Sequence, residues 1–418
     1  MEHISFRKPN RVRRLSLNVG AFVLFFAIPV LAMPVDVPVP SVQAVEYQNF
    51  SNLTWGLNSL LSLLLPLVLL AFGVGTWLSN HVLKYGRYLT FLFVSTAFFA
   101  LNSLIQLPLE RLRAERLQLT KKVDLKPVLQ WVSDQVLSSL PTFIVSVLAA
   151  LFVFWIINKS SRRWWLWATS VFSVLFLSFL VAEPFTKSYT PLGYSPLEVR
   201  IAELAARSGI PRDSVVFEDC VPFDACDMAH VSGLGPTRLV LLNKGLMDAY
   251  PESWVEQTVA HESKHFAKDD NLKGWIVATI IVLFLLFSVD RICRFIIGKY
   301  SQHLGFSSLQ NPAALPLAML VLHLMFLMVL PPINLFRQHV EFEADRYGLE
   351  LTRQNQVLAE MVSSWTTKSV TRVPDPGSFF MLFRSSHPSD ASRIAYANSF
   401  EREANKELQK RMSEKLMQ

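Results

Sequence analysis

Apolar and polar positions along this chain fall into blocks, with few simple alternations. Apolar runs near residues 15–33, 55–78, 88–107, 139–158, 164–182, 273–290 and 313–335 are each long enough, or nearly so, to cross about 30 Å of hydrocarbon as a helix. The pattern predicts a mainly α, polytopic membrane protein with about seven transmembrane helices. Residues 183–272 form the one sizeable stretch without a spanning run. Within it, 197–208 carries apolar residues at helical spacing and is stopped by Gly209 and Pro211. Val215-Val-Phe217 and Leu239-Val-Leu-Leu242 are short apolar runs between turn residues and predict strands, with Gly233-Leu-Gly-Pro236 as the turn before the second. The chain therefore divides into a membrane region with five helices (1–182), a small α/β unit (183–272), spans six and seven (273–335) and a carboxy-terminal part (336–418).

Composition agrees with this class: 51% of the 418 residues are hydrophobic. The net charge of +7 comes from basic residues gathered at the ends of apolar runs, where they set topology; the expected partner is the lipid bilayer, not nucleic acid. The first run follows Arg7, Lys8, Arg11, Arg13 and Arg14 and reads as a retained anchor. Met33 to Asn52, rich in Pro and Val and free of Lys and Arg, reads as an extended connector, and it touches two sequon-like triplets at Asn49 and Asn52. Residues 110–135, charged and leucine-rich, predict a membrane-side helical hairpin between spans three and four. The tail, 399–418, mixes both charge signs at helical spacing and predicts a solvated helix.

The candidate chemistry lies at His261-Glu262-Ser263-Lys264-His265. On a helix, residues four apart share a face, so both imidazoles can bind one tetrahedral Zn2+ while Glu262 stands beside it as general base. Catalytic zinc takes a third protein ligand and keeps one open position. Glu341 is the candidate, and Asp345, one turn on, can accept the free N–H of a ligand His and fix its tautomer. Lys264 points away from the metal face. The strand at Leu239, Val240 and Leu241, after the turn at Gly233, is expected to be an edge on which an extended peptide substrate pairs.

The zinc motif, two spanning runs and then Glu341-Phe-Glu-Ala-Asp345 resemble the type I CAAX prenyl proteases and their bacterial relatives. So do Pro184-Phe-Thr-Lys-Ser-Tyr-Thr-Pro-Leu192, Gly233-Leu-Gly-Pro-Thr-Arg-Leu-Val-Leu241, Ser386-His-Pro-Ser-Asp-Ala-Ser-Arg-Ile394, Leu107-Pro-Leu-Glu-Arg111 and Trp131-Val-Ser-Asp134. The resemblance implies seven helices around a chamber, a small α/β zinc-peptidase unit at one membrane face, and one zinc per chain. It makes His261, His265 and Glu341 ligands, Glu262 the base, Asp345 their support, His387 a stabiliser of the oxyanion and Arg393 a residue at the family spacing after it. Lys264, Asp270, Met228-Ala229 and Arg337-Gln338 depart from that pattern. Met228, Lys264 and Asp270 feed an alternative, a catalytically silent membrane chaperone or quality-control scaffold. The activity implied is a zinc metalloendopeptidase acting on membrane-associated or misfolded proteins.

Basic residues in short loops at Lys84 and Arg87, at Lys159, Arg162 and Arg163, and at Arg291, Arg294 and Lys299 put the zinc face on the outer side of the membrane. The resemblance implies a cytosolic face. Cys220 and Cys226, which suit a disulfide in an oxidising compartment, favour a bacterial inner membrane with a periplasmic site, the endoplasmic reticulum membrane being the alternative.

Overall fold

The computed structural model describes residues 34–122, 124–219 and 229–400. The amino-terminal run at 15–33, both Cys220 and Cys226, Met228, and all but the first two residues of the tail lie outside them. Elements in chain order are α1 (Val42–Ala71), α2 (Val74–Val82), α3 (Arg87–Lys121), α4 (Val128–Lys159), α5 (Trp164–Ala182), β1 (Tyr189–Pro191), α6 (Pro196–Arg207), β2 (Val215–Glu218), β3 (Ala229–Ser232), β4 (Leu239–Asn243), α7 (Lys244–Ala249), α8 (Glu252–Ala267), α9 (Asp270–Leu304), α10 (Leu315–Thr352), α11 (Asn355–Lys368) and α12 (Gly377–Phe383).

Among the described residues, six helices are long and apolar enough to cross a membrane: α1, α3, α4, α5, α9 and α10. Leu137, Val145, Leu148, Val174 and Leu175 are each more than half exposed. In water that would be costly; facing lipid tails it is not. One expectation changes and one holds. The connector after residue 33 is shorter than its composition suggests, because Ser41 accepts a hydrogen bond from the Ala44 amide and starts α1 at Val42. The hairpin at 110–135 is made by the ends of α3 and α4, which run past their apolar stretches on either side of a short connection.

Several of these helices are longer than a bilayer needs. At 1.5 Å per residue the 38 residues of α10 reach about 57 Å, and about 20 residues suffice to span. The apolar run ends near residue 335, so the last turns, with Glu341 and Asp345, extend beyond it. Helix α8 ends at Ala267 and α9 begins at Asp270, the chain turning through a left-handed Asp269 (φ 53°).

The α/β unit is a four-stranded sheet of order β1-β2-β4-β3, with β2 and β4 parallel and the outer pairs antiparallel. Its core joins Val215, Phe217, Val240 and Leu242 to Ile201 of α6 and Val255 of α8. Helix α6 is set by a capping box, Ser195 accepting from the Glu198 amide while the Glu198 carboxylate accepts from the Ser195 amide.

The sheet order corrects the substrate-strand expectation. Leu239, Val240 and Leu241 lie in the interior strand β4, hydrogen-bonded on both sides, with Val240 and Leu241 0% and 2% exposed. An unbroken apolar run marks a strand buried on both faces. The edge beside α8 is β3, which the sequence reading missed. Gly233 is not in a strand: at φ +85°, an added Cβ would lie 2.3 Å from the Thr237 carbonyl oxygen, so the turn demands glycine. The Asn271 amide donates to the Val231 and Gly233 carbonyls and pins the end of β3 to the start of α9.

Candidate metal centre

The site is made where α8 crosses α10. Glu341, Asp345 and Gly348 follow one another at four and three residues and share one helix face. At Gly348 an added Cβ would meet Gln257 Nε2 at 2.9 Å and the His261 amide nitrogen at 3.4 Å. The missing side chain lets the helices approach closely and brings Glu341 to the two histidines.

His261 Nε2 lies 3.4 Å from His265 Nε2 and 3.2 Å from Glu341 Oε2, and His265 Nε2 lies 3.9 Å from the same oxygen. A tetrahedral zinc with bonds near 2.05 Å separates its ligand atoms by about 3.3 Å, so the triangle has the size one ion requires. The other ring nitrogens are taken: His261 Nδ1 faces Asp345 Oδ1 at 3.0 Å and His265 Nδ1 faces Asp270 Oδ2 at 2.8 Å. With each Nδ1–H donated to a carboxylate, both Nε2 lone pairs point into the triangle. Two lone pairs and a carboxylate oxygen that close repel unless a positive charge sits among them. The same need shows in His261: burial pushes its pKa down, but hydrogen bonds to Asp345 and Glu341 outweigh this and raise it to about 10. Among the described residues, His261, His265 and Glu341 form the one such group able to hold a metal.

Around the triangle, the expected residues are arranged as follows. Glu262 is 8% exposed and lines the same cavity as His261, a space of about 910 Å³. Burial raises its pKa above the usual carboxylate value, against the nearby His261 and His265, which suits a proton acceptor. Arg393 grips Asp345 with Nε and Nη2 at 2.6 and 2.7 Å, both side chains being buried. His387, whose side chain is 55% exposed, brings Nε2 to 3.4 Å from Glu341 Oε2. Val240, Leu241 and Leu242 of β4 are buried in the sheet, and none of them belongs to the group able to hold a metal.

Other residues were not anticipated. His230 on the edge strand β3 is among the charges acting on Glu262; a lone imidazole outside any motif gives no signal in sequence. The cavity wall takes in Tyr47, Gln48 and Ser51 of the membrane helix α1, and Arg384, which donates to Asn52 and Ser51. Asn52, one of the two sequon-like positions, thus accepts a hydrogen bond from a residue of the cavity wall. Lys264, expected to point away from the metal, is 6% exposed and directed onto α10.

Residues 194–401 match the model of peptidase family M48, and residues 44–186 match that of the CAAX prenyl protease N-terminal region, five membrane helices. The chain belongs to peptidase family M48. It is similar, at 26% identity over 382 residues and 88% of each chain, to the uncharacterized metalloprotease YhfN of Bacillus subtilis (strain 168). Its fold is similar to the crystal structure of S. mikatae Ste24p, with a TM-score of 0.55 and 17% identity over 86% of this chain and 99% of that one. This M48 protein is a multi-pass integral membrane metallopeptidase, and its family implies a divalent metal. The resemblance read from the zinc and Glu341–Asp345 motifs extends through both halves of the chain.

Proposed function

We propose that this M48 peptidase is a membrane-embedded zinc endopeptidase that hydrolyses peptide bonds of membrane-associated or misfolded proteins. The observation that carries the reading is the triangle of His261 Nε2, His265 Nε2 and Glu341 Oε2, with Glu262 buried in the adjoining cavity. His261, His265 and Glu341 would hold the zinc, which when bound would supply Lewis acidity to a peptide carbonyl and lower the pKa of water from 15.7 toward about 7. Glu262 accepts the proton of the attacking water and returns it to the departing amine. His387, exposed at the rim, donates a hydrogen bond to the oxyanion as the carbonyl carbon becomes tetrahedral. Asp345 and Asp270 hold the two imidazoles in the tautomer that turns Nε2 inward.

The substrate class follows from the walls. Tyr47, Gln48 and Ser51 of α1 border the cavity that holds His261 and Glu262, so a segment arriving alongside the membrane helices meets the site directly. The edge strand β3 offers an extended segment its backbone.

Metal removal tests the reading. Chelation should stop cleavage of an unfolded membrane-protein substrate and lower the unfolding temperature of the detergent-solubilised enzyme; returning zinc should restore both. With free zinc at about 100 times Kd, the stabilisation is about 2.7 kcal/mol. Cleavage that persists after the zinc has been stripped would overturn the proposal.

A further inference from the structure

Each imidazole of the triangle is backed by a buried carboxylate, and each carboxylate by a buried cation. On one side the order is His261, Asp345, Arg393: 3.0 Å from Nδ1 to Oδ1, then 2.6 and 2.7 Å from the guanidinium. On the other it is His265, Asp270, Lys264: 2.8 Å from Nδ1 to Oδ2, then 2.8 Å from that oxygen to Lys264 Nζ. The side chains of Lys264 and Asp270 are each 8% exposed. Lys264 Nζ also donates to the Val340 carbonyl at 2.7 Å, directly ahead of Glu341. Its ammonium thus joins three elements: α8, which carries both histidines, the start of α9, which carries Asp270, and the stretch of α10 that presents Glu341.

The geometry points to Lys264 as a positioning residue of the metal centre, fixing His265 through Asp270 and Glu341 through the Val340 carbonyl. This rests on the zinc reading above. Stability alone is a weak reason for the arrangement. Taking an ammonium out of water is costly, and well-packed apolar replacements of buried ion pairs are often neutral or stabilising. The ammonium does supply three directed hydrogen-bond donors, and two of them hold groups whose placement decides whether the ligand triangle closes. Asp270 keeps a second partner, the half-exposed Lys273 at 3.0 Å from its other oxygen, so it is not left unpaired when Lys264 is replaced. The position that sequence alone marks as a departure from the family pattern is, with Asp270, a working part of the site.

The test compares Lys264→Met, Lys264→Arg, Asp270→Asn and the Lys264→Met/Asp270→Asn double variant in full-length, detergent-solubilised protein. Zinc affinity is read by chelator competition, the visible spectrum after cobalt substitution, and the unfolding temperature of the stripped protein. Lys264→Met should weaken zinc binding by about 10–100-fold, the usual cost of losing a partner behind a ligand, and change the cobalt spectrum, while the stripped protein unfolds near the wild-type temperature. Lys264→Arg, which keeps donors for both acceptors, should recover most of the affinity. Asp270→Asn should lose a similar factor, and the double variant no more than the worse single one, because the two residues act as one support. Zinc affinity and cobalt spectrum unchanged in Lys264→Met, or losses that multiply in the double variant, would overturn the inference. If Lys264→Met does not fold, Lys264→Arg and Asp270→Asn decide: wild-type affinity in Asp270→Asn rejects it. A wild-type chain that binds no zinc would sink the proposed function; a zinc-loaded wild type with an indifferent Lys264→Met sinks only this assignment.

Discussion

Glu262→Gln should keep its zinc and lose about 10²–10⁴-fold in peptide hydrolysis, the range assigned to a positioned general base. Glutamine fills the same space, and the residue is not one of the three groups around the metal position, so occupancy is expected to hold. What disappears is the proton acceptor. The carboxylate is 8% exposed and lines the cavity beside His261, and burial has already raised its proton affinity. At about 1.36 kcal/mol per decade, the loss corresponds to roughly 3–5 kcal/mol of barrier. Steady-state cleavage and zinc content, measured on one preparation, decide the matter. Cleavage retained at full zinc occupancy assigns the base elsewhere.

Arg393→Ala should destabilise the protein by about 3–5 kcal/mol, since it strips the partner from a buried carboxylate. Asp345 is 1% exposed and Arg393 5%, and their contact is two-pronged. The guanidinium also rests on the Trp365 ring, 5.0 Å from its centroid, so packing is lost with the charge. Because Asp345 accepts from His261, zinc affinity should fall as well. A second substitution separates the two effects. Arg393→Met with Asp345→Asn removes the unpaired charge and should regain part of the stability, but should not restore metal affinity to the wild-type value. Denaturant unfolding in detergent, paired with zinc titration, reads both quantities; a loss below 1 kcal/mol with unchanged affinity would show that the pair supports nothing.

Much of this was legible in the chain because it rests on short-range periodicity. The spacing of His261 and His265, and of Glu341 and Asp345, places each pair on one helix face however the helices later meet. Apolar run length marked the six described membrane helices for the same reason: a bilayer imposes a length on every span. Helix α6 announced itself through its apolar stripe and was fixed by Ser195 and Glu198, three residues apart.

Other features depended on pairings between distant segments. Strands β1 and β3 have three and four residues, too few for an alternation, and whether β4 lay inside the sheet or at its edge was decided by neighbours far away in sequence. The break between α1 and α2 falls inside one apolar run at the left-handed Gly73, which hydropathy does not register. The partners of Lys264 were not legible because a helical wheel shows which face a residue leaves from, not what a partner helix offers there. Only when α9 turns back at Asp269 and α10 crosses α8 at Gly348 do Asp270 and the Val340 carbonyl come within its reach.

X-ray absorption at the zinc edge of the purified, full-length protein addresses the central assignment most directly. The account predicts one zinc per chain with nitrogen and oxygen neighbours only: two imidazoles at about 2.0–2.1 Å, one carboxylate oxygen at about 2.0–2.2 Å and a fourth light-atom ligand, the imidazole signal falling when His261 or His265 is replaced. A protein that binds no zinc, or whose zinc shows sulfur at about 2.3 Å, would contradict it.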